Sequence, residues 1–191
     1  MFEYLFVKYR IISGRAKGFF LSTLFGRSFS FVGHNLKYVG IKYINQEAPL
    51  SVGDNTWIEA VCKYREASFE PSLFFGSKVM LSNNVHISCV HSIIIDDGVL
   101  IGSNVYVGDH SHGSLAHGKI DIAIPPYKRN LDDITGIYIG KNTWIGDGAV
   151  ILAGSYICDG CVVGANAVVK GEFRVPCVIA GVPAKAVKLL S

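Results

Sequence analysis

Residues 139–152 read "IGKNTWIGDGAVIL". Steps of six from Ile139 land on Ile145, Ile151, Ile157, Val163, Val169 and Val175, seven aliphatic positions in succession. The residue after each is often glycine (Gly140, Gly146, Gly164), and the fifth of each block is small or β-branched (Thr143, Ala149, Ser155, Cys161, Ala167). The same grammar occurs upstream at Phe75, Leu81 and Ile87. It resumes after a slip of two residues at Ile95, Ile101 and Val107, and Val52 and Ile58 form an isolated first pair. A period of six fits neither a helix nor a half-buried strand of alternating polarity. It predicts short strands, each ended by a bend, with an aliphatic side chain inward at the first position and a small one at the fifth. Glycine at the second position is read as easing the bend. Three such faces close a triangular coil of about 18 residues, and coils stack at about 4.8 Å. Each coil buries its apolar face only against its neighbours, and roughly five coils make a solenoid.

Composition agrees with one packed domain. The chain has 191 residues, 50% hydrophobic and 17% charged, with 21 glycines, which favours many corners over long helices. The net charge of +3 is uneven: residues 1–38 carry six lysines and arginines against Glu3 alone, so the remainder carries −2. A net positive charge confined to an N-terminal arm does not make a nucleic-acid recognition surface, and no nucleic-acid partner is assigned. Five scattered cysteines (62, 89, 158, 161, 177) suit a reducing compartment rather than a disulfide framework. The start lacks the form of a signal peptide, and the cluster Phe19–Phe25 is far short of the roughly 20 apolar residues of a membrane span. A cytoplasmic location is expected.

The blocks "IGKNTWIGDGAVIL", "CVVGANAVV" and "VIAGVPAKAVK" resemble the hexapeptide-repeat acyltransferases. The resemblance is strongest to the sugar O-acetyltransferases of bacterial polysaccharide assembly, the branch that includes the galactoside and maltose acetyltransferases. It covers roughly residues 50–191 and is specific at 95–113 and 139–188. It implies an all-β chain folded as a left-handed parallel β-helix, a homotrimer, and an active site in the groove between subunits. It also implies acetyl-CoA as the acyl donor and a sugar or lipid-linked saccharide as the acceptor. The organisation expected is a basic, partly helical arm over 1–38 and a β-helix over 39–191, broken by a loop excursion at 113–138.

Residues 1–25 depart from the period of six. Phe2, Leu5, Phe6, Tyr9 and Ile12 follow helical spacing, with Lys8 and Arg15 off that stripe. Two readings stay open: a helix packed on the β-helix end or on a neighbouring subunit, and a basic segment resting on the inner face of the cytoplasmic membrane.

The candidate chemistry lies in "GDHSHG", residues 108–113, where the Val107 face ends and the loop departs. A sugar hydroxyl is a poor nucleophile near pH 7, so a positioned base must take its proton as it attacks a thioester. Histidine titrates in the right range. A backbone N–H commonly steadies the oxyanion. The protonated imidazole can return the proton to the leaving thiolate, so no nucleophilic serine or cysteine is needed. His110 is the position that matches the family's catalytic histidine. Asp109 and His112 are candidates to orient it or to touch the sugar, and Tyr127 and Arg129 in the loop are candidates for substrate or coenzyme contact. For acetyl-CoA the resemblance points to Trp144, Gly146, Ala165, Lys170, Lys185 and Lys188. The family often has arginine where Lys185 and Lys188 stand, which puts bidentate phosphate contacts in doubt.

No metal ligand set is assigned. Asp109, His110, His112 and nearby His117 are one local cluster, and zinc takes three or four ligands from converging elements. His34, His86 and His91 are dispersed. Cys158 and Cys161 form an isolated CxxC on repeat positions that suit small residues. The alternatives that keep the fold are an acetyltransferase acting on an amino sugar, serine or a xenobiotic, and a non-catalytic scaffold or metal-binding protein.

Overall fold

The computed structural model describes residues 2–26, 28–114 and 122–190. A helix, Phe2–Phe25, precedes short strands that wind into three parallel sheets. The first face stacks Phe29–Val32, Leu50–Val52, Met80–Leu81, Leu100–Ile101, Trp144–Ile145, Val162–Val163 and Cys177–Gly181, and the antiparallel strand Ala184–Leu189 closes it. The second runs from Lys37–Val39 through Trp57–Ala60, His86–Cys89, Tyr106–Gly108 and Val150–Leu152 to Val168–Val169. The third runs from Ile44–Gln46 to Glu172–Phe173. The chain visits the faces in turn, so each circuit adds one rung to every sheet.

The rungs follow the period. On the second face Ile58, Ile87, Val107, Ile151 and Val169 lie in register and are fully buried. The fifth positions, Thr143, Ala149, Ser155, Cys161 and Ala167, are also buried. Each of these inner corners has room for only a small group because the coil is three short strands around.

Two expectations about the repeat need correcting. Glycine at the second position is not at the bend. The left-handed backbone falls two residues later, at Asn142 (φ 54°), Gly148 (φ 69°), Gly160 (φ 70°) and Asn166 (φ 57°). Gly140 instead faces the next coil: a Cβ there would lie 2.6 Å from the Asp159 backbone nitrogen and closer still to the Asp159 carboxylate. It is glycine because coils touch there. Val175 is the second correction. It is 54% exposed, and Phe173 takes the rung below Ile157, so the strict period ends at Val169.

The arm is shorter than 1–38. Phe29–Val32 and Lys37–Val39 already form the first rungs of two sheets, so the solenoid begins inside that segment. The helix caps its end, but with an unexpected face. Gly14 and Gly18 are buried against Phe31 and Phe29; a Cβ on Gly14 would strike the Phe31 ring, and one on Gly18 would lie 2.9 Å from the Phe29 carbonyl oxygen. Tyr9 and Ile12, of the expected packing stripe, point outward at 66% and 67% exposure. The side chains of Phe2, Leu5 and Phe6, like His117, lie outside the described residues.

Two excursions leave the solenoid. Lys63–Tyr64 and Ala67–Ser68 form a hairpin that the period did not announce. The long loop has a neck in which Ser111–His112 pairs antiparallel with Leu131–Asp132, and it rejoins the third face at Ile137.

Candidate active site

Inward aliphatics on the second face force their neighbours outward. Three successive rungs therefore present Trp57 and Glu59, His86 and Ser88, and Tyr106 and Gly108 on the outer side. Trp57 stacks on His86 with centroids 4.4 Å apart, and His86 meets Tyr106 edge-on at 5.3 Å. Glu59 Oε1 accepts a hydrogen bond from Ser88 Oγ at 2.7 Å and lies 3.3 Å from His86 Nε2. A Cβ on Gly108 would strike the Tyr106 ring, so the bare glycine lets that ring lie flat beside the turn.

Asp109 and His110 follow at the corner between the second and third faces. Asp109 is wholly buried. Its Oδ1 accepts the Val90 N–H at 2.8 Å, and its Oδ2 accepts those of His91 and Ser92 at 2.8 and 2.9 Å. One carboxylate thus pins the corner of the preceding coil. Burial alone would raise the Asp109 carboxyl; the hydrogen bonds from His110, His91 and Val90 outweigh it and hold the group below the usual range.

His110 Nδ1 lies 3.0 Å from Asp109 Oδ1. An ionised carboxylate only accepts, so Nδ1 must carry the proton, and in the neutral ring Nε2 keeps its lone pair. The side chain of His110 is 8% exposed. Glu59 is near enough for the His110 charge to act on it. Burial would raise the Glu59 carboxyl, but hydrogen bonds from His86 and Ser88, then the charges of His86 and His110, leave it lowered. Tyr106 is raised, by burial first and then by the negative charges of Asp109 and Glu59. The buried Cys89 thiol, 3.6 Å from Asp109 Oδ2, is raised by burial and that carboxylate, which keeps it out of nucleophilic use.

The hairpin and the loop neck meet above this corner. Tyr64 Oη lies 3.3 Å from His112 Nδ1 and donates to the Tyr127 carbonyl oxygen at 3.1 Å, and Arg65 donates to the Lys128 carbonyl. Arg129 donates through Nε to the Ile124 carbonyl at 2.9 Å and lies against Gly113. Asp109, His110, His112, Tyr127 and Arg129 therefore belong to one region.

The coenzyme candidates other than Lys170 lie away from this corner. Trp144 stands on the first face, 53% exposed, and Gly146 and Ala165 sit at the corner where the first face turns into the second. That corner and the His110 corner flank opposite edges of the second face. Lys170 lines a cavity of about 530 Å³ with Asp133, Thr135 and Gly154, while Lys185 and Lys188 lie on the closing strand. Among the described residues no group of three or more His, Cys, Asp or Glu side chains is placed to hold a metal. Cys158 and Cys161 are thiols with sulfurs 3.7 Å apart, and burial and the neighbouring thiol push Cys158 up to about 11.

Sequence reasoning missed Trp57, Glu59, His86, Ser88, Tyr106 and Tyr64. Trp57 and His86 are in register yet 29 residues apart, because the hairpin lengthens that coil, so a search at six or eighteen does not align them.

The chain is similar to known proteins in sequence and fold. Residues 136–171 match the family model "Bacterial transferase hexapeptide (six repeats)". The chain is 36% identical over 148 residues to the "Putative lipopolysaccharide biosynthesis O-acetyl transferase WbbJ" of Escherichia coli K12, over 76% of this chain and 74% of that protein. It is 29% identical over 141 residues to the galactoside O-acetyltransferase of the same organism, covering 72% of this chain and 63% of the relative's length. AntD, an N-acyltransferase from Bacillus cereus solved as a point mutant with dTDP-4-amino-4,6-dideoxyglucose and coenzyme A, superposes with a TM-score of 0.60 at 16% identity, over 84% of this chain and 83% of AntD. The fold is the left-handed parallel β-helix of these enzymes, and the chain belongs to the hexapeptide-repeat transferases, as an acetyltransferase of that family.

Proposed function

We propose that the protein moves an acetyl group from acetyl-CoA to a sugar hydroxyl of a bacterial cell-surface polysaccharide or its lipid-linked precursor. The observation that carries this is the Asp109–His110 pair: a buried carboxylate fixes Nδ1 as the donor and leaves Nε2 as a base. His110 Nε2 takes the hydroxyl proton as the oxygen attacks the thioester carbonyl. The C–S bond then breaks, and the imidazolium returns the proton to the thiolate. Asp109 is a positioning residue. His112, Tyr127 and Arg129 line the approach.

The small, exposed Ala165 leaves backbone open at a corner, which suits a pantetheine arm, with Gly146 buried beneath it so that the coils can touch, and Lys170, Lys185 and Lys188 supply positive charge for phosphates. The Gly146–Ala165 corner lies across the second face from His110, whereas Lys170 is on the His110 side, so a complete site takes Trp144 and that corner from a second subunit. Met80, Leu100 and Trp144 support a trimer: they are in register, apolar, and 52%, 41% and 53% exposed on the first face. Acetyl-CoA and free thiols suit the cytoplasm, with the enzyme at the inner face of the membrane. The Glu59 carboxylate favours one second reading, an amino-sugar acceptor.

The test is release of free coenzyme A from acetyl-CoA, followed by thiol titration, with neutral-sugar and amino-sugar acceptors. The His110→Ala variant is expected to lose transfer while its oligomer persists. Full transfer by that variant would sink the reading.

A further inference from the structure

The N-terminal helix is turned inside out. A helix packed on a core normally buries its apolar stripe and shows its polar residues to water. Among the described side chains the inner side holds Arg10, Ser13, Gly14, Lys17, Gly18 and Ser22, with Leu21 and the partly exposed Ile11 as its large apolar side chains. Arg10 pairs with Asp54 at 2.7 Å, and Lys17 Nζ lies 3.1 Å from His34 Nδ1. Ser22 Oγ donates to the Gly18 carbonyl and accepts the Phe29 N–H at 2.8 Å. The opposite side carries Tyr9, Ile12, Phe19 and Phe20, each more than half exposed. Lys8 and Arg15 are exposed beside them.

The docking on the solenoid fixes this orientation. Gly14 and Gly18 can face Phe31 and Phe29 only because neither carries a Cβ. The helix cannot roll its phenylalanines inward without driving side chains into the first rung. The apolar side is therefore held outward by the fold.

Charge selects the occupant. From Tyr4 to Gln46 the sequence has seven lysines and arginines and no aspartate or glutamate. An apolar face with aromatic residues, flanked by the exposed Lys8 and Arg15 in a stretch of 43 residues without an acid, is complementary to an anionic lipid surface. No described helix is long and apolar enough to cross a membrane, so the mode is lying on the surface. We propose that the outer side of this helix binds the headgroup–acyl boundary of an anionic bilayer. The proposal is independent of the acyl-transfer reading.

The experiment is co-sedimentation of the full chain with phosphatidylcholine vesicles, with and without about 30% phosphatidylglycerol, at low and high salt. Wild type is expected to pellet with the anionic vesicles, less so at high salt, and weakly with neutral ones. The triple variant Ile12→Ser, Phe19→Ser, Phe20→Ser is expected to bind at least about tenfold more weakly. Its far-ultraviolet circular dichroism and melting temperature are expected to stay close to wild type, because all three side chains are about two-thirds exposed or more. Equal binding by the variant would overturn the proposal, as would failure of wild type to bind anionic vesicles. If wild type leaves vesicles unbound and the variant loses its oligomer in sedimentation velocity, the face is a subunit contact and the lipid proposal is wrong.

Discussion

The coils over 139–169 and those over 57–112 share one architecture and spend their side chains differently. In the late coils every inward position is aliphatic or small, and the corners are bare or turn-forming residues at Gly140, Asn142, Gly146 and Gly148. In the middle coils the same inward aliphatics persist, but the outer side carries Trp57, Glu59, His86, Ser88 and Tyr106, and the corner carries a buried charge at Asp109. A hairpin and a loop leave the solenoid there. Strict periodicity leaves little room for chemistry. Where a coil lengthens, backbone that would have paired with the next turn is freed, and polar side chains take over its hydrogen bonds.

That contrast is open to direct attack. The largest effect is expected from Asp109→Ala. It strands three backbone N–H groups and the His110 Nδ1 proton, and the cost in urea denaturation should be about 3–5 kcal/mol. A cost below about 1 kcal/mol would mean the middle corner holds without its charge. In the late coils Ile157→Ala should cost about 2–5 kcal/mol by cavity formation, with activity per folded molecule intact. Gly140→Ala should cost about 1–3 kcal/mol, since the new Cβ meets the Asp159 backbone and carboxylate. Val175→Ala, at a position the period of six treats like Ile157, should cost under about 0.5 kcal/mol because Val175 is exposed.

Acid stability separates the regions again. The folded-state pKa of Asp109 is depressed, so its contribution is fully present above the unfolded carboxylate value of about 3.9 and is lost as pH falls below it towards the folded value. The Asp109→Asn variant should therefore show a shallower loss of stability below about pH 4 than wild type, measured by thermal melts across the acid range.

Much of this was legible before any coordinates. Ile139 to Val169 announce the solenoid because an inward position every six residues tolerates only aliphatic side chains. The Asp109–His110 pair stood out because it sits where that run stops. The outer ladder was hidden. Glu59 and Ser88 touch because their strands are paired, yet they lie 29 residues apart in the chain. The helix misled for a different reason: an apolar stripe reads as a buried stripe, and nothing at Tyr9 or Ile12 signals that Gly14 and Gly18 will claim the packing side. The role of Gly140 was likewise set by a neighbour one coil away rather than by its own backbone angles.

The central claim is that the broken part of the repeat holds a histidine in one tautomer. Nitrogen-15 NMR of histidine-labelled protein tests it, with the His110 signals assigned by their loss in His110→Ala. In the neutral ring Nδ1 is expected to be protonated and pyrrole-type, and Nε2 bare and pyridine-type. The reverse pattern, a protonated Nε2 and a bare Nδ1, would leave no base facing the acceptor and would contradict it.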